Sequence, residues 1–311
     1  MRANRNHKGV HSMQATISRI IAYIKTHPKA QVLLKAAAIF LLIILLLHPK
    51  GTKTFLILGM DNYDSLDSNN GRSDVTMLVQ INFTRGRIKT VSFARDMFLK
   101  DEKDRDAKLN TLIRSGTEDT LVETIERNFG VKIDGWFRVN FASVILLVDA
   151  LGGVKLELTS QEANYIDRQI GKYEDHPLSE GVCHLNGEQA LTYARCRKLD
   201  NDIGRGARQG KLLTAMVART RWMTASKIVG VFHSLRNMWR SSLSAFAQIR
   251  LLSQAVWLRG AKVEAYGVPF EGHWWYGSSD SGVSGVVLNL PENRRLLLEA
   301  LGYPPEKKLI K

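Results

Sequence analysis

From Tyr193 to Lys211 the chain reads YARCRKLDNDIGRGARQGK, which places Arg195, Arg197, Asp202, Arg205, Arg208 and Gln209 within fifteen residues. Guanidinium groups crowded in this way repel one another unless a multivalent anion lies among them. Their planar forks take phosphate oxygens two at a time. An aspartate in their midst can share a divalent cation with those oxygens. A second cluster lies far upstream: Asp61 directly after an apolar run, Arg72 and Asp74 in GRSDVTML, and Arg95 and Asp96 in SFARD. Two sets of the same chemistry, distant in sequence, read as two walls of one pyrophosphate site.

The elements that must carry these residues alternate in type. Thr54–Met60 is a β-type apolar run that ends at Asp61, and a polar loop over Asn62–Ser73 leads into a strand over Asp74–Asn82. A turn at Thr84–Arg87 returns the chain into a third strand, Ile88–Ala94. The spacing of Leu121, Val122, Ile125 and Phe129 predicts a helix over Thr117–Asn128, with Thr117 as its N-cap and Gly130 as its stop. A strand is expected at Trp136–Asn140, an apolar helix at Phe141–Leu151 and a strand at Val154–Leu158. Helices are expected at Gly187–Tyr193, Ala207–Ala218, Leu243–Leu258 and Pro291–Leu301, with a strand at Val263–Val268. Interleaved strands and helices predict an α/β class: a central mixed sheet with helices on both faces. The acidic and basic residues then fall at strand ends and in loops, where sites are built on a rigid frame.

The formal net charge of the 311 residues is +14, and the first sixty contain no Asp or Glu. This balance calls for an anionic partner. Residues 31–47, QVLLKAAAIFLLIILLL, form an apolar run of about the length that spans a bilayer. Arg2, Arg5, Lys8, Arg19, Lys25 and Lys29 precede it, against Lys50 and Lys53 close behind. The positive-inside rule therefore predicts a basic cytoplasmic tail over 1–30, a transmembrane helix over 31–48 and an extracytoplasmic domain over 50–311. A cleaved signal peptide is the weaker reading, because no small-x-small site follows the leucines.

Cys183 and Cys196 flank the expected short helix. Outside the cell they could close a disulfide, for which loop entropy gives on the order of 3 kcal/mol. The other reading is two free thiols, held by the intervening helix beyond the ~7 Å that a bridge tolerates. Zinc-ligand spacing, a nucleophile elbow and a P-loop are all missing from the sequence.

In order and separation, the blocks GMDN, GRSDVTMLVQIN, VSFARD, KLN, VNFASVILLVDALGGV, HLNGEQALTYARCRK and DIGRGARQ resemble the LytR-CpsA-Psr family over roughly residues 52–302. The resemblance implies a membrane-anchored extracytoplasmic transferase of cell-wall biogenesis. Such an enzyme moves an anionic glycopolymer (teichoic acid or capsular polysaccharide) from an undecaprenyl-pyrophosphate carrier to the 6-hydroxyl of peptidoglycan N-acetylmuramic acid, making a phosphodiester. It also implies Mg²⁺ or Mn²⁺, with Asp61 and Asp74 on the metal side. Arg72, Arg95, Arg195, Arg197, Arg205, Arg208 and Gln209 would line the pyrophosphate, with Lys108 of KLN beside them and Asp202 among them. Two departures stand out: Ala94 where the family carries proline, expected to loosen that loop, and Gly210 where it carries a longer polar residue.

Attack of a sugar hydroxyl on a pyrophosphate has a loose transition state, so positioning and charge neutralisation carry the catalysis. Arg95 stays protonated and is a poor base; Asp96 or a metal-side aspartate is the better acceptor for the hydroxyl proton. The carrier's tail needs an apolar slot, for which Phe141–Leu151 and Leu212, Leu213, Met216 and Val217 offer surface. Ordinary core helices are the plainer account of the same residues. His184 reads as a packing residue, and Trp274, Trp275 and Tyr276 are left outside the site. Hydrolysis of polyprenyl pyrophosphates by the same site is the alternative activity. A nucleic-acid-binding regulator is disfavoured, since the sequence has no helix-turn-helix or zinc-finger pattern and the expected topology holds the charged domain across a membrane from DNA.

Overall fold

The computed structural model describes residues 27, 31–32, 50–60, 73–171, 177–196, 198–199, 202–220, 222–235, 237–258, 260–279 and 282–304. The chain divides into two compact units, Met1–Pro49 and Lys50–Lys311. The expected transmembrane segment lies almost wholly outside the described residues. Among the described residues no helix is long and apolar enough to cross a membrane.

The second unit begins with three antiparallel neighbours, β1 (Thr52–Met60), β2 (Ser73–Asn82) and β3 (Arg87–Phe93). Next come the short hairpin β4 (Phe98–Lys100) and β5 (Asp106–Lys108), then α1 (Leu109–Ser115) and α2 (Glu118–Phe129). Thr117 caps α2 through a capping box, and Gly130 ends it in the left-handed conformation at φ 69°. The strand β6 (Gly135–Asn140) runs directly into α3 (Phe141–Ala150), with Asn140 as N-cap.

Two strands, β7 (Val154–Leu158) and β8 (Gly181–Leu185), form a separate ribbon around α4 (Ser160–Ile170). Then follow α5 (Gly187–Arg195), α6 (Asp202–Thr220), α7 (Ala225–Leu235), β9 (Trp239–Ser241) and α8 (Ala245–Ala255). The last part contains β10 (Lys262–Val268), the hairpin β11 (Trp274–Ser278) and β12 (Ser284–Leu288), and α9 (Leu290–Leu301).

The central sheet has the order β10-β3-β2-β1-β6-β9. It is mixed: β1 pairs with β6 in parallel and β3 with β10 in parallel, while β2 and β9 run the other way. Side chains alternate between its faces. Leu56, Leu58, Met60, Leu78, Val91 and Phe93 are buried on one face, against Leu109 and Leu112 of α1, Leu121, Ile125 and Phe129 of α2, and Leu297 of α9. Burial of a side chain such as Leu58, at 0% exposure, stabilises the fold by roughly 1.5–3 kcal/mol. The opposite face, with Met77, Val79 and Ile88, packs more loosely against half-buried Leu213 and Val217 of α6 and Leu251 of α8. The expected central mixed sheet flanked by helices is present.

The expected disulfide is not formed: both cysteines are free. Cys183 lies on β8 and Cys196 immediately follows α5. Cys183 Sγ instead lies 3.1 Å from Ser179 O, and Cys196 is buried.

Candidate active site

Because β1 and β3 are both antiparallel to β2, and β6 and β10 are parallel to β1 and β3, four strands point the same way. Their carboxyl ends, Met60, Phe93, Asn140 and Val268, therefore share one edge of the sheet, as the pairings Met60↔Asn140 and Val268↔Phe93 show. Ligands of open α/β sheets bind outside such carboxyl ends. Asp61 and Arg72 lie outside the described residues, but the pairing of Met60 with Ser73 brings the exit of β1 and the entry of β2 together at this edge. Asp74 is the second residue of β2; its side chain is outside the description.

Arg95 and Asp96 form the turn that follows β3 at the same edge. The half-buried Arg95 places Nε 3.6 Å from Asp96 Oδ1. Four backbone and side-chain bonds fix this turn. Ala94 N–H donates to Val268 O at 2.8 Å, Asn110 N–H donates to Arg95 O at 3.0 Å, Asn110 Nδ2 donates to Asp96 Oδ1 at 3.0 Å, and Val286 N–H donates to Asp96 O at 3.0 Å. The first bond explains Ala94: a proline there would have no N–H to give. The loop is tied to β10 rather than loosened. Asn110 is 7% exposed, and its remaining amide oxygen has no hydrogen-bond partner. Lys108 immediately precedes α1, with its ammonium 5.9 Å from the centre of the Phe98 ring.

The second wall comes from α5 and α6. Arg195 is the last residue of α5, and its guanidinium carbon lies 3.9 Å from the centre of the Phe141 ring, at the carboxyl end of β6. Stacking on an aromatic face holds an exposed guanidinium without discharging it. The end of α5 is gripped in turn by α6: Arg208 Nη2 donates to Cys196 O at 2.7 Å and Gln209 Nε2 to Ala194 O at 3.5 Å. Positive and donor groups suit the orphan carbonyls of a helix C-terminus.

Arg208 is 4% exposed, with Nη1 3.7 Å from Glu162 Oε1 of α4. Its guanidinium faces a carboxylate and a carbonyl inside the fold, so it joins α4, α5 and α6. Gln209 likewise spends a donor on α5. Arg205 is buried at 4% exposure, one residue from the contact of α6 with β3. Arg197 lies outside the described residues, and Asp202 is described as the first residue of α6 without its side chain.

The direction of α6 joins the two walls. A β-carbon on Gly206 would lie 3.0 Å from Ser92 Cβ, and one on Gly210 would lie 3.2 Å from Ala265 Cβ and 3.6 Å from Thr90 Oγ1. Ser92 Oγ donates to Gly206 O at 3.0 Å. Four helical residues rise about 6 Å and two strand residues about 6.6 Å. The helix thus runs antiparallel to β3 in step with it, and one further turn back from Gly206 brings Asp202 level with Ala94 and Arg95. Close approach also accounts for Gly210: the longer side chain that the family carries there would press on β10.

Several contributors were not assigned from sequence. Asn110 stood within KLN with no stated task, and Phe141 was read only as part of an apolar run. The β11–β12 hairpin was left outside the site, yet β12 is bonded to Asp96. A β-carbon on Gly285 would fall 2.7 Å from Asp96 O, so only glycine lets the hairpin come this near. That hairpin carries Trp275 and Tyr276, 53% and 72% exposed. His184 is exposed on β8, with Nε2 3.0 Å from Gly152 O.

Residues 9–285 match the LytR_cpsA_psr family. The chain is 30% identical over 173 residues to the polyisoprenyl-teichoic acid–peptidoglycan teichoic acid transferase TagV of Bacillus subtilis (strain 168), covering 53% of this chain and 43% of that protein. It is 32% identical over 178 residues to the transferase TagU of Enterococcus faecalis (strain V583), covering 56% of this chain and 55% of that one. These matches span about half the length of the curated relatives. Among solved structures, B. subtilis TagT superposes with a TM-score of 0.63 at 25% identity, over 81% of this chain and 92% of that one. A structure of TagT bound to LIIa-WTA gives 0.65 at the same identity and coverage. With the sheet order, the carboxyl-edge site and the family match over most of its length agreeing, the chain belongs to the LytR_cpsA_psr family.

Proposed function

We propose that this chain transfers an anionic glycopolymer of the teichoic-acid or capsular class from an undecaprenyl-pyrophosphate carrier to N-acetylmuramic acid of peptidoglycan. The observation that carries this reading is the meeting of the Arg95–Asp96 turn, the stacked Arg195 and the first turn of α6 at one sheet edge. Such a gathering of cations suits a diphosphate, and relatives of the same family are named as polyisoprenyl-teichoic acid–peptidoglycan teichoic acid transferases.

In the reaction the acceptor hydroxyl oxygen forms a bond to the polymer-bearing phosphorus, and the bridge to the lipid phosphate breaks. Polyprenyl phosphate leaves with the bridging oxygen and its electron pair. Arg95 and Arg195 balance the charge that develops on the departing phosphate. Asp96 Oδ1 is occupied by Asn110, which leaves Oδ2 to take the hydroxyl proton. Asp61 directly follows β1 in sequence and Asp74 is the second residue of β2; two carboxylates are a donor set that fits Mg²⁺ or Mn²⁺, which favours one or two carboxylates together with phosphate oxygens. When bound, the ion would neutralise phosphate charge. Half-buried Leu213, Met216 and Val217 on α6, and Leu146 of α3 at 39% exposure, support an apolar slot for the polyprenyl tail. The basic leader and apolar run at 31–47 support a membrane anchor with the catalytic domain outside.

The test is a transfer assay with the full-length protein, a synthetic polyprenyl-pyrophosphate-linked glycopolymer and nascent peptidoglycan, read by mass spectrometry of the muramic acid products. A muramic 6-phosphodiester is expected. Release of free polymer phosphate alone, with peptidoglycan present, would identify a hydrolase instead.

A further inference from the structure

At the opposite end of the sheet lies a cavity of about 450 Å³ that the transfer chemistry does not use. It is lined by the start of β1 (Thr52, Lys53, Thr54), the end of β2 (Gln80, Asn82), the start of β3 (Arg87, Lys89) and the neighbouring Arg85, Lys132 and Tyr303, among others. From Arg87 to Asp96 is the length of β3 and its following turn, so roughly 20–30 Å separates this cavity from the catalytic edge.

Five cations, Lys53, Arg85, Arg87, Lys89 and Lys132, converge on a single carboxylate, Asp134. Lys53 takes that carboxylate at 2.6 Å, and Lys89 donates to Ala300 O at the end of α9 at 2.5 Å. Arg85, Arg87 and Lys132 are exposed, and among the described residues their side chains have no hydrogen-bond or ion-pair partner. Three guanidinium and ammonium groups around one concavity repel one another, and among the described lining residues Asp134 is the one carboxylate, paired with Lys53. Arg87 begins β3, Arg85 sits in the turn just before it and Lys132 in the link between α2 and β6; such a surplus of charge around one concavity is what an anion site looks like before its anion arrives.

The neutral lining narrows the ligand. Thr52, Gln80, Asn82 and Tyr303 add donors and acceptors beside the charges, and the volume is several times that of a bare phosphate. We propose that this cavity is a second anion site, which binds a phosphodiester carrying a polyol. The phosphate would lie among Arg85, Arg87 and Lys132, and the hydroxyls against the neutral residues. That chemistry has two sources at a cell envelope: the headgroup of an anionic phospholipid and a phosphate-linked repeat of a glycopolymer. The inference rests on this cavity alone and does not depend on the proposed transfer.

The test uses the full-length protein in neutral dodecylmaltoside micelles, titrated calorimetrically with glycerophosphoglycerol. Saturable binding is expected, weakened at least tenfold in the exposed triple variant Arg85→Gln/Arg87→Gln/Lys132→Gln and retained in Arg195→Ala. Circular dichroism checks that the triple variant folds. Repeating the titration in nanodiscs of pure phosphatidylcholine and of phosphatidylcholine with phosphatidylglycerol separates the sources. Loss of free-ligand binding only in the anionic discs assigns the cavity to lipid, and equal binding in both assigns it to the polymer repeat. Unchanged affinity in the folded triple variant, or affinity lost in Arg195→Ala instead, would overturn the proposal.

Discussion

Arginines of similar appearance in the sequence do different work. Arg195 lies exposed against the Phe141 ring at the mouth of the site, whereas Arg208, thirteen residues on, is buried against Glu162 and a carbonyl. Replacement of Arg195 by alanine is expected to lower transfer by about 10²–10³, the scale of losing one preorganised donor, with unchanged thermal unfolding. Arg208→Ala should instead cost about 3 kcal/mol of stability, because Glu162 is left buried and unmatched, and chemical denaturation measures it. An Arg195 variant that unfolds early while Arg208→Ala does not would invert these roles. Sequence alone had no means to divide them, since burial decides and both residues belong to one basic run. Away from the site, Asp101 closes the β4–β5 turn by accepting from Arg105 and from two backbone N–H groups. The hydrogen bonds from Arg105 lower its pKa from 3.8 to about 2. A depressed carboxyl contributes stability above its unfolded value that is lost as pH falls through the folded one. Carbonyl NMR should therefore place its midpoint near pH 2, moving up toward 3.8 in Arg105→Gln.

Among the elements, α6 is the one whose placement matters most, and glycines set its distance from the sheet. Gly210→Leu is expected to cost about 1–3 kcal/mol by overpacking against Ala265 and Thr90, and to reduce transfer by tilting the arginine-bearing turn. The control is Gly230→Ala in α7, where an added β-carbon meets nothing within 4 Å; it should leave activity intact and stabilise by up to about 1 kcal/mol. Equal destabilisation by both would refute the packing account. Long, strongly patterned elements were legible in the residues themselves: β1, β2, β3, α2 with its Thr117 cap, α3, β7 and α9 lie within a few residues of expectation. Short or polar ones were not. The strands β4, β5 and β9 have three residues, too few to show a period, β8 (GVCHL) lacks the apolar alternation that marks β7 (VKLEL), and α4 (SQEANYIDRQI) is polar enough to pass for loop. The convergence of the two Arg/Asp clusters was legible from composition, but the step between α6 and β3 that produces it depends on pairings of residues more than a hundred positions apart.

For the whole molecule, charge is divided between the two ends of one sheet. The carboxyl edge gathers arginines with aspartates, and the far edge gathers five cations with one carboxylate, Asp134, among the described lining residues. If residues 31–47 anchor the chain, alkaline phosphatase fused after residue 311 should be active in intact cells and a cytoplasmic fluorescent reporter there should be dark. The reverse pattern would remove the proposed membrane placement. The account stands most directly on the meeting of two walls around a diphosphate. A crystal structure of the full chain with a short-chain polyprenyl pyrophosphate measures it. The expected result is a diphosphate at the carboxyl ends of β1, β3 and β6, with oxygens within 3.5 Å of both Arg95 and Arg195. A diphosphate bound elsewhere, or touched by only one of those arginines while the other faces away, would contradict it.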